Sequence, residues 1–210
     1  MKTLFDPATA AARLAEADER LAIVIARAAP CSLRPKPLGS LFRVLLRAIV
    51  YQQLNGKAAG TILRRVEALF PGGRVEPAAL LAMPEEKLRA AGLSRNKLAS
   101  VRDLAARTLD GTIPSPAAAR KLSDDELVAR LTEVRGIGPW TVHMLLMFDL
   151  GRPDVLPSGD YGVRMGFKKL YRKRTEPSPD QIKRHASRWQ PYRSVAAWYL
   201  WRVHEIELPG

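Results

Sequence analysis

The residues of this chain best suited to chemistry are Gly136-Ile137-Gly138-Pro139-Trp140-Thr141, together with an acid, Asp160, twenty-two residues past the second glycine. A helical pattern breaks at Gly136 to Gly138 and restarts at Pro139. Glycines flanking one apolar residue let the chain turn sharply and let another group approach the backbone, because neither carries a Cβ. Pro139 suits the first position of a helix, whose opening N–H groups lack intrahelical acceptors. Such a turn presents a concave row of amide donors to an anion, and a phosphate fits it. The plainer reading is a tight turn between two packed helices. Asp160 follows Pro157-Ser158-Gly159 and opens a further predicted helix, where Asp commonly caps the N-terminus. The same position can also hold a fixed negative charge beside a reacting centre. The two roles are compatible.

The elements that must position these residues read as helices nearly throughout. An Ala-rich amphipathic stretch runs from Pro7 to Ala29, with Leu14, Leu21, Val24 and Ile25 near one face, and Pro30 stops it. A Pro-rich connector (Ser32 to Pro37) precedes an apolar helix over 38–52, with Phe42, Leu45, Leu46, Ile49 and Val50 on its inner side. Helices are predicted at 56–70, 76–82, 84–91 and 94–109. Ser123 with Glu126 is a capping box for the next, whose inner face is Leu127, Leu131 and Val134. The helix after the turn spans 139–150. A turn-rich loop, Gly151 to Gly159, delivers Asp160, and helices follow at 160–171, 178–190 and 193–206. No segment alternates in the manner of a strand, so the fold class is all-α.

Composition narrows the function classes. The 210 residues suffice for a sizeable core, and 47% of them are apolar, which excludes a disordered chain. No apolar run is long enough to cross a bilayer, and residues 1–7 lack a signal-peptide core, so no membrane role and a cytoplasmic location are expected. The single cysteine, Cys31, excludes an internal disulfide and an iron–sulfur or zinc-thiolate cluster. Lys and Arg number 34 against 21 Asp and Glu, a formal charge of +13 that favours a polyanionic partner such as nucleic acid.

Gly136 to Thr141 with Asp160 downstream resembles the helix-hairpin-helix DNA glycosylases. The block Leu156-Pro157-Ser158-Gly159-Asp160-Tyr161 is most similar to the alkylated-purine branch, the 3-methyladenine DNA glycosylase II type. Ile49 to Ala59 resembles the segment from which that branch sends loop residues into the duplex. Arg188 to Ser194 leading to Trp201 resembles its C-terminal helix. These matches span residues 40–205. The resemblance implies two helical subdomains with the active-site cleft between them: one over 40–138, carrying a hairpin at 123–150, and one built from 1–37 and 151–210. Larger relatives carry an N-terminal sheet domain, for which this chain has no room.

By the same resemblance, the partner is double-stranded DNA with a flipped damaged base, bound by a monomer that is nucleoid-associated if prokaryotic. Asp160 is the catalytic carboxylate, stabilising the oxocarbenium-like sugar formed as the base leaves. Gly136, Gly138, Arg135 and Thr141 contact DNA, and Gln53 is the wedge candidate, with Leu54 and Asn55 beside it. Trp140, Tyr161, Trp201 and Met144 line the base pocket, where aromatic faces attract a cationic purine. For Trp198, Tyr199 and Trp201, core packing is the competing role. Bifunctional relatives carry a Schiff-base lysine at the position of Trp140, which implies a monofunctional, water-using enzyme. No cofactor is required. The carbonyls of Thr132, Val134 and Ile137 are the candidates for holding a structural Na or K ion. Asp154 is a competing carboxylate off the family's pattern. The run Arg164, Lys168, Lys169, Arg172, Lys173 and Arg174 either tracks phosphates or is a solvated helix face. Two other functions stay open: a non-catalytic protein that recognises distorted duplex, and a glycosylase for deaminated bases.

Overall fold

The structure, a computed structural model, describes residues 5–34 and 39–209. Pro35 to Pro37 of the connector, and Leu38, lie outside the described residues. Among the described residues there are helices and no strand. The α-helices are α1 Pro7–Ala17, α2 Glu19–Arg27, α3 Leu41–Tyr51, α4 Gly56–Glu67, α5 Pro77–Ala82, α6 Glu85–Ala90 and α7 Arg95–Leu109. They continue as α8 Pro116–Ala119, α9 Asp124–Leu131, α10 Pro139–Phe148, α11 Tyr161–Leu170, α12 Pro179–His185 and α13 Arg193–Arg202. No helix among the described residues is long and apolar enough to cross a membrane.

The chain divides into two compact units, residues 38–142 and residues 1–37 with 143–210. In the first, α7 is the central element, packed against α3, α5 and α6. Its Leu98, Val101, Leu104 and Ala105 are buried with Phe42, Leu45, Leu46, Ile49 and Val50 of α3. Helix starts follow local chemistry: Ser94 accepts the Lys97 amide, and Ser123 and Glu126 close the expected capping box. In the second unit the core is α13, which contacts α1, α2 and α11. Every residue from Ser194 to Leu200 is buried, so this helix is enclosed on all sides rather than amphipathic.

Beyond the last turns of α12 and α13, which pass into 3-10 helix, two features depart from the sequence reading. The short helix α8, capped by Ser115, was not anticipated. The single helix expected over residues 7–29 is two, broken at Asp18. Asp18 leaves helical geometry (φ −150°, ψ 101°), and its Oδ1 accepts the Leu21 amide at 3.1 Å. Its Oδ2 accepts the Tyr171 hydroxyl at 2.7 Å and the Trp189 indole N–H at 3.0 Å, with His185 Nε2 at 2.9 Å. A helix-continuing backbone there would give up a buried, charge-assisted network spanning four elements.

Burial pushes the Asp18 carboxyl up, but the donors from His185, Tyr171, Trp189 and Leu21 outweigh it and hold the group well below the usual carboxylate range. A depressed native pKa stabilises the fold above the unfolded carboxylate range, and the contribution is lost as pH falls toward the native pKa. Asp18→Asn is therefore expected to destabilise the protein by about 3 kcal/mol at neutral pH. Its unfolding free energy should fall less steeply than the parent's as pH drops below about 4. Chemical denaturation at pH 7 and pH 3 checks both.

Candidate active site and nucleic-acid interface

The hairpin lies in the unit of residues 38–142. After α9 the chain tightens through Val134 N–H to Leu131 C=O and Ile137 N–H to Val134 C=O, at 3.3 and 3.0 Å, and α10 begins at Pro139. Gly136 has φ +79°, and a Cβ there would stand 2.7 Å from Ser100 Oγ of α7. Gly138 has neither constraint, since its φ is ordinary and an added Cβ would meet nothing within 4 Å. The two glycines thus differ in purpose: Gly136 makes the turn, while Gly138 keeps an open approach to the start of α10. Asp103 Oδ2 accepts the Arg135 amide at 2.7 Å and Arg107 Nε at 3.3 Å, and Arg107 reaches Glu133 at 2.8 Å. This bracing by α7 was not visible in the sequence, because Asp103 lies 32 positions from the amide it holds.

The loop between α3 and α4 is tied to the same hairpin. Gln52 Nε2 donates to the Gly136 carbonyl at 2.7 Å. Gln53 adopts φ +55°, which costs a non-glycine residue on the order of 1 kcal/mol, and its side chain is exposed. Asn55 caps α4 by accepting the Ala58 amide at 2.9 Å, so its oxygen is already committed and Gln53 and Leu54 form the loop's tip. Four large hydrophobic side chains are exposed among the described residues, and three of them, Leu54, Trp140 and Tyr161, are predicted site residues.

The acid lies in the other unit. Asp160 caps α11, its Oδ1 accepting the Val163 amide at 2.8 Å and the Trp201 indole N–H at 2.7 Å. Trp201 stacks on Phe148, with ring centroids 6.0 Å apart and planes 18° apart. Its nearest role is thus to hold the carboxylate. Trp198 and Tyr199 are buried core residues, whereas Met144 is half-buried. The loop before the acid is anchored on α13: Arg193 forms two bonds of 2.8 Å to Asp154, and Ser194 Oγ accepts the Val155 amide at 2.9 Å while donating to the Arg152 carbonyl at 2.7 Å. Asp154, the competing carboxylate, is committed to this clamp.

The basic run divides as well. Arg164 pairs with Glu176 at 2.6 Å and donates to the Pro177 carbonyl. Lys169 and Arg172 bond the carbonyls of Val203 and Pro209. These three residues fasten the chain to itself.

An all-helical chain with a glycine hairpin opening one helix and an acid capping another has the build of a helix-hairpin-helix repair protein. The family model described as HhH-GPD superfamily base excision DNA repair protein matches residues 46–191, and the chain belongs to that superfamily. DNA-3-methyladenine glycosylase 1 of Schizosaccharomyces pombe is 39% identical over 166 residues, 79% of this chain and 73% of that protein. The structure of 3-methyladenine DNA glycosylase of the same yeast in complex with abasic DNA matches with a TM-score of 0.78 at 35% identity, over 94% of this chain and 97% of that one. A DNA-3-methyladenine glycosidase structure from Bacillus halodurans matches with a TM-score of 0.83 at 34% identity, covering 96% and 90%.

The difference between the glycines gives a paired test. Gly138→Ala should leave the melting temperature within about 2 °C of the parent, yet weaken binding to damaged and undamaged duplexes alike, because backbone amides read phosphates rather than bases. Gly136→Ala should lower stability by about 2 kcal/mol, from positive φ and the Ser100 clash. Thermal unfolding and fluorescence-anisotropy titrations separate the two.

Proposed function

We propose that this chain is a monofunctional DNA glycosylase that hydrolyses the N-glycosidic bond of alkylated purines such as 3-methyladenine in duplex DNA, leaving an abasic site. The observation that carries the reading is the half-buried Asp160 carboxylate, held by the Val163 amide and the Trp201 indole at the start of α11. The relatives named for this activity support the same reading.

The chemistry follows from charge. As the bond from C1′ to the base nitrogen breaks, its electron pair leaves with the base and the sugar becomes oxocarbenium-like. An N-alkylated purine is already cationic, so it departs neutral with little need of a general acid. Water then bonds to C1′ and gives up a proton. At roughly 4 Å and an effective dielectric near 20, the carboxylate stabilises the sugar cation by about 4 kcal/mol. That is on the order of a thousandfold in rate. The two donors to Oδ1 hold the group in place.

In this reading the base is flipped out of the duplex, Gln53 fills the gap beside Leu54, and Trp140, Tyr161 and Met144 face the extruded purine. The hairpin amides near Gly138 and Thr141, with Arg135, take the backbone phosphates. Neutral carbonyls of Thr132, Val134 and Ile137 suit a hard monovalent cation, which would brace the turn and take no part in bond breaking. A monomer suffices for these roles.

Asp160→Asn is expected to lose base release by at least about a hundredfold with duplex affinity within a few-fold of the parent, since the amide oxygen can still accept both bonds while the charge is gone. Trp201→Phe keeps the ring on Phe148 but removes the N–H donor. It should lower the single-turnover rate about tenfold without weakening binding, through a less well-held acid. Release of free base from methylated duplex measures both. A rate unchanged by Asp160→Asn would remove this residue from the mechanism. Borohydride should trap no enzyme–DNA adduct, and strands should break only after alkali or heat; a trapped adduct would overturn the monofunctional assignment.

A further inference from the structure

The basic run after Asp160 is the feature that the proposed chemistry does not use. With Arg164, Lys169 and Arg172 engaged in holding the chain, Lys168, Lys173 and Arg174 remain, and none of the three has a side-chain bond or ion pair among the described residues. They line an open cavity of about 500 Å³ along α11, whose wall begins at Tyr161, the residue next to the acid. Lys173 also lines a second cavity, of about 250 Å³, with Thr175, Gln181, Arg184 and His185. No carboxylate lines either cavity. Glu176, the nearby acid in sequence, is occupied by Arg164. The two cavities share Lys173 and have cationic linings, the first forming a groove along α11 from Tyr161.

We propose that this groove is a second DNA-backbone track, which takes the phosphates of the strand flanking the damaged nucleotide. It rests on the glycosylase reading only for the identity of the polyanion. Ten residues of α11 span about 15 Å. One strand of B-DNA advances 3.4 Å along the axis per phosphate but winds once in about 34 Å, so about two or three of its phosphates can face one side of the helix. Lys173 and Arg174 are exposed and Lys168 is half-buried, and long cationic side chains with no acidic partner among the described residues suit a repeating anion better than a single shaped ligand. Thr175 and the Gln181 amide add neutral hydrogen-bonding groups at the far end. The exposed Tyr161 ring at the near end offers a face on which a base can stack.

The test uses the full chain with Lys168, Lys173 and Arg174 all changed to Ala, an undamaged duplex of about 25 base pairs and one of about 10. Losing three phosphate contacts should reduce the slope of log affinity against log salt by about 2.7, so the parent's loss of affinity between 50 and 200 mM salt shrinks by about fortyfold in the variant. The deficit should appear on the long duplex and be small on the short one. Single-turnover base release at saturating enzyme and low salt should match the parent, because none of the three touches the reacting sugar. Lys173→Gln alone should shift the slope by about one. An unchanged salt slope, or an equal deficit on both duplex lengths, overturns the flanking track. If the parent releases no base yet shows the length-dependent, salt-sensitive binding, the glycosylase reading fails and the track stands.

Discussion

The close approach of α11 to α13 sets the position of the acid, and much of the surrounding structure serves that contact. A Cβ on Gly166 would lie 2.0 Å from the Leu200 carbonyl oxygen, so the two helices meet backbone to backbone. One turn earlier, a Cβ on Gly162 would collide with Trp201 Cδ1 at 2.7 Å and crowd Asp160 Oδ1 at 3.2 Å. The pair lets α13 bring an indole N–H to the carboxylate that caps α11. Glycine inside a helix costs roughly 1 kcal/mol against alanine, and here that cost allows a contact no larger residue permits. The Asp154–Arg193 clamp and the bonds of Ser194 then fix the loop leading into Asp160 to the same helix, so both sides of the acid are referred to one buried element.

The hairpin follows a similar logic with different parts. Gly136 turns against Ser100, while Asp103 accepts the preceding amide of Arg135 and Gln52 donates to the Gly136 carbonyl. Strain at Gln53 is tolerated because the loop around it is tied at Gln52 and capped at Asn55. The result is a rigid support carrying exposed apolar tips at Leu54 and Trp140, with Tyr161 exposed beside the acid in the other unit. Rigid support matters for a group that works by charge, because its effect depends on staying near one position while a partner moves.

The sequence by itself determined the helical class, most helix boundaries, the hairpin and the acid, since these rest on local chemistry. Periodicity, caps such as Ser94, Ser123 and Asp160, and helix-starting residues such as Pro139 act within a turn of the residues they organise. The family resemblance rested on the same short segments. Tertiary structure alone decided what depends on partners far along the chain. It split the first predicted helix at Asp18, whose three side-chain partners lie more than 150 positions away. It gave Trp201 a bond to the acid 41 positions away. It also separated lysines and arginines that look alike in the run after Asp160 into those that bond the chain and those with no such bond among the described residues. The period of a helix shows which residues share a face, but no local rule says which remote carbonyl or carboxylate that face will meet.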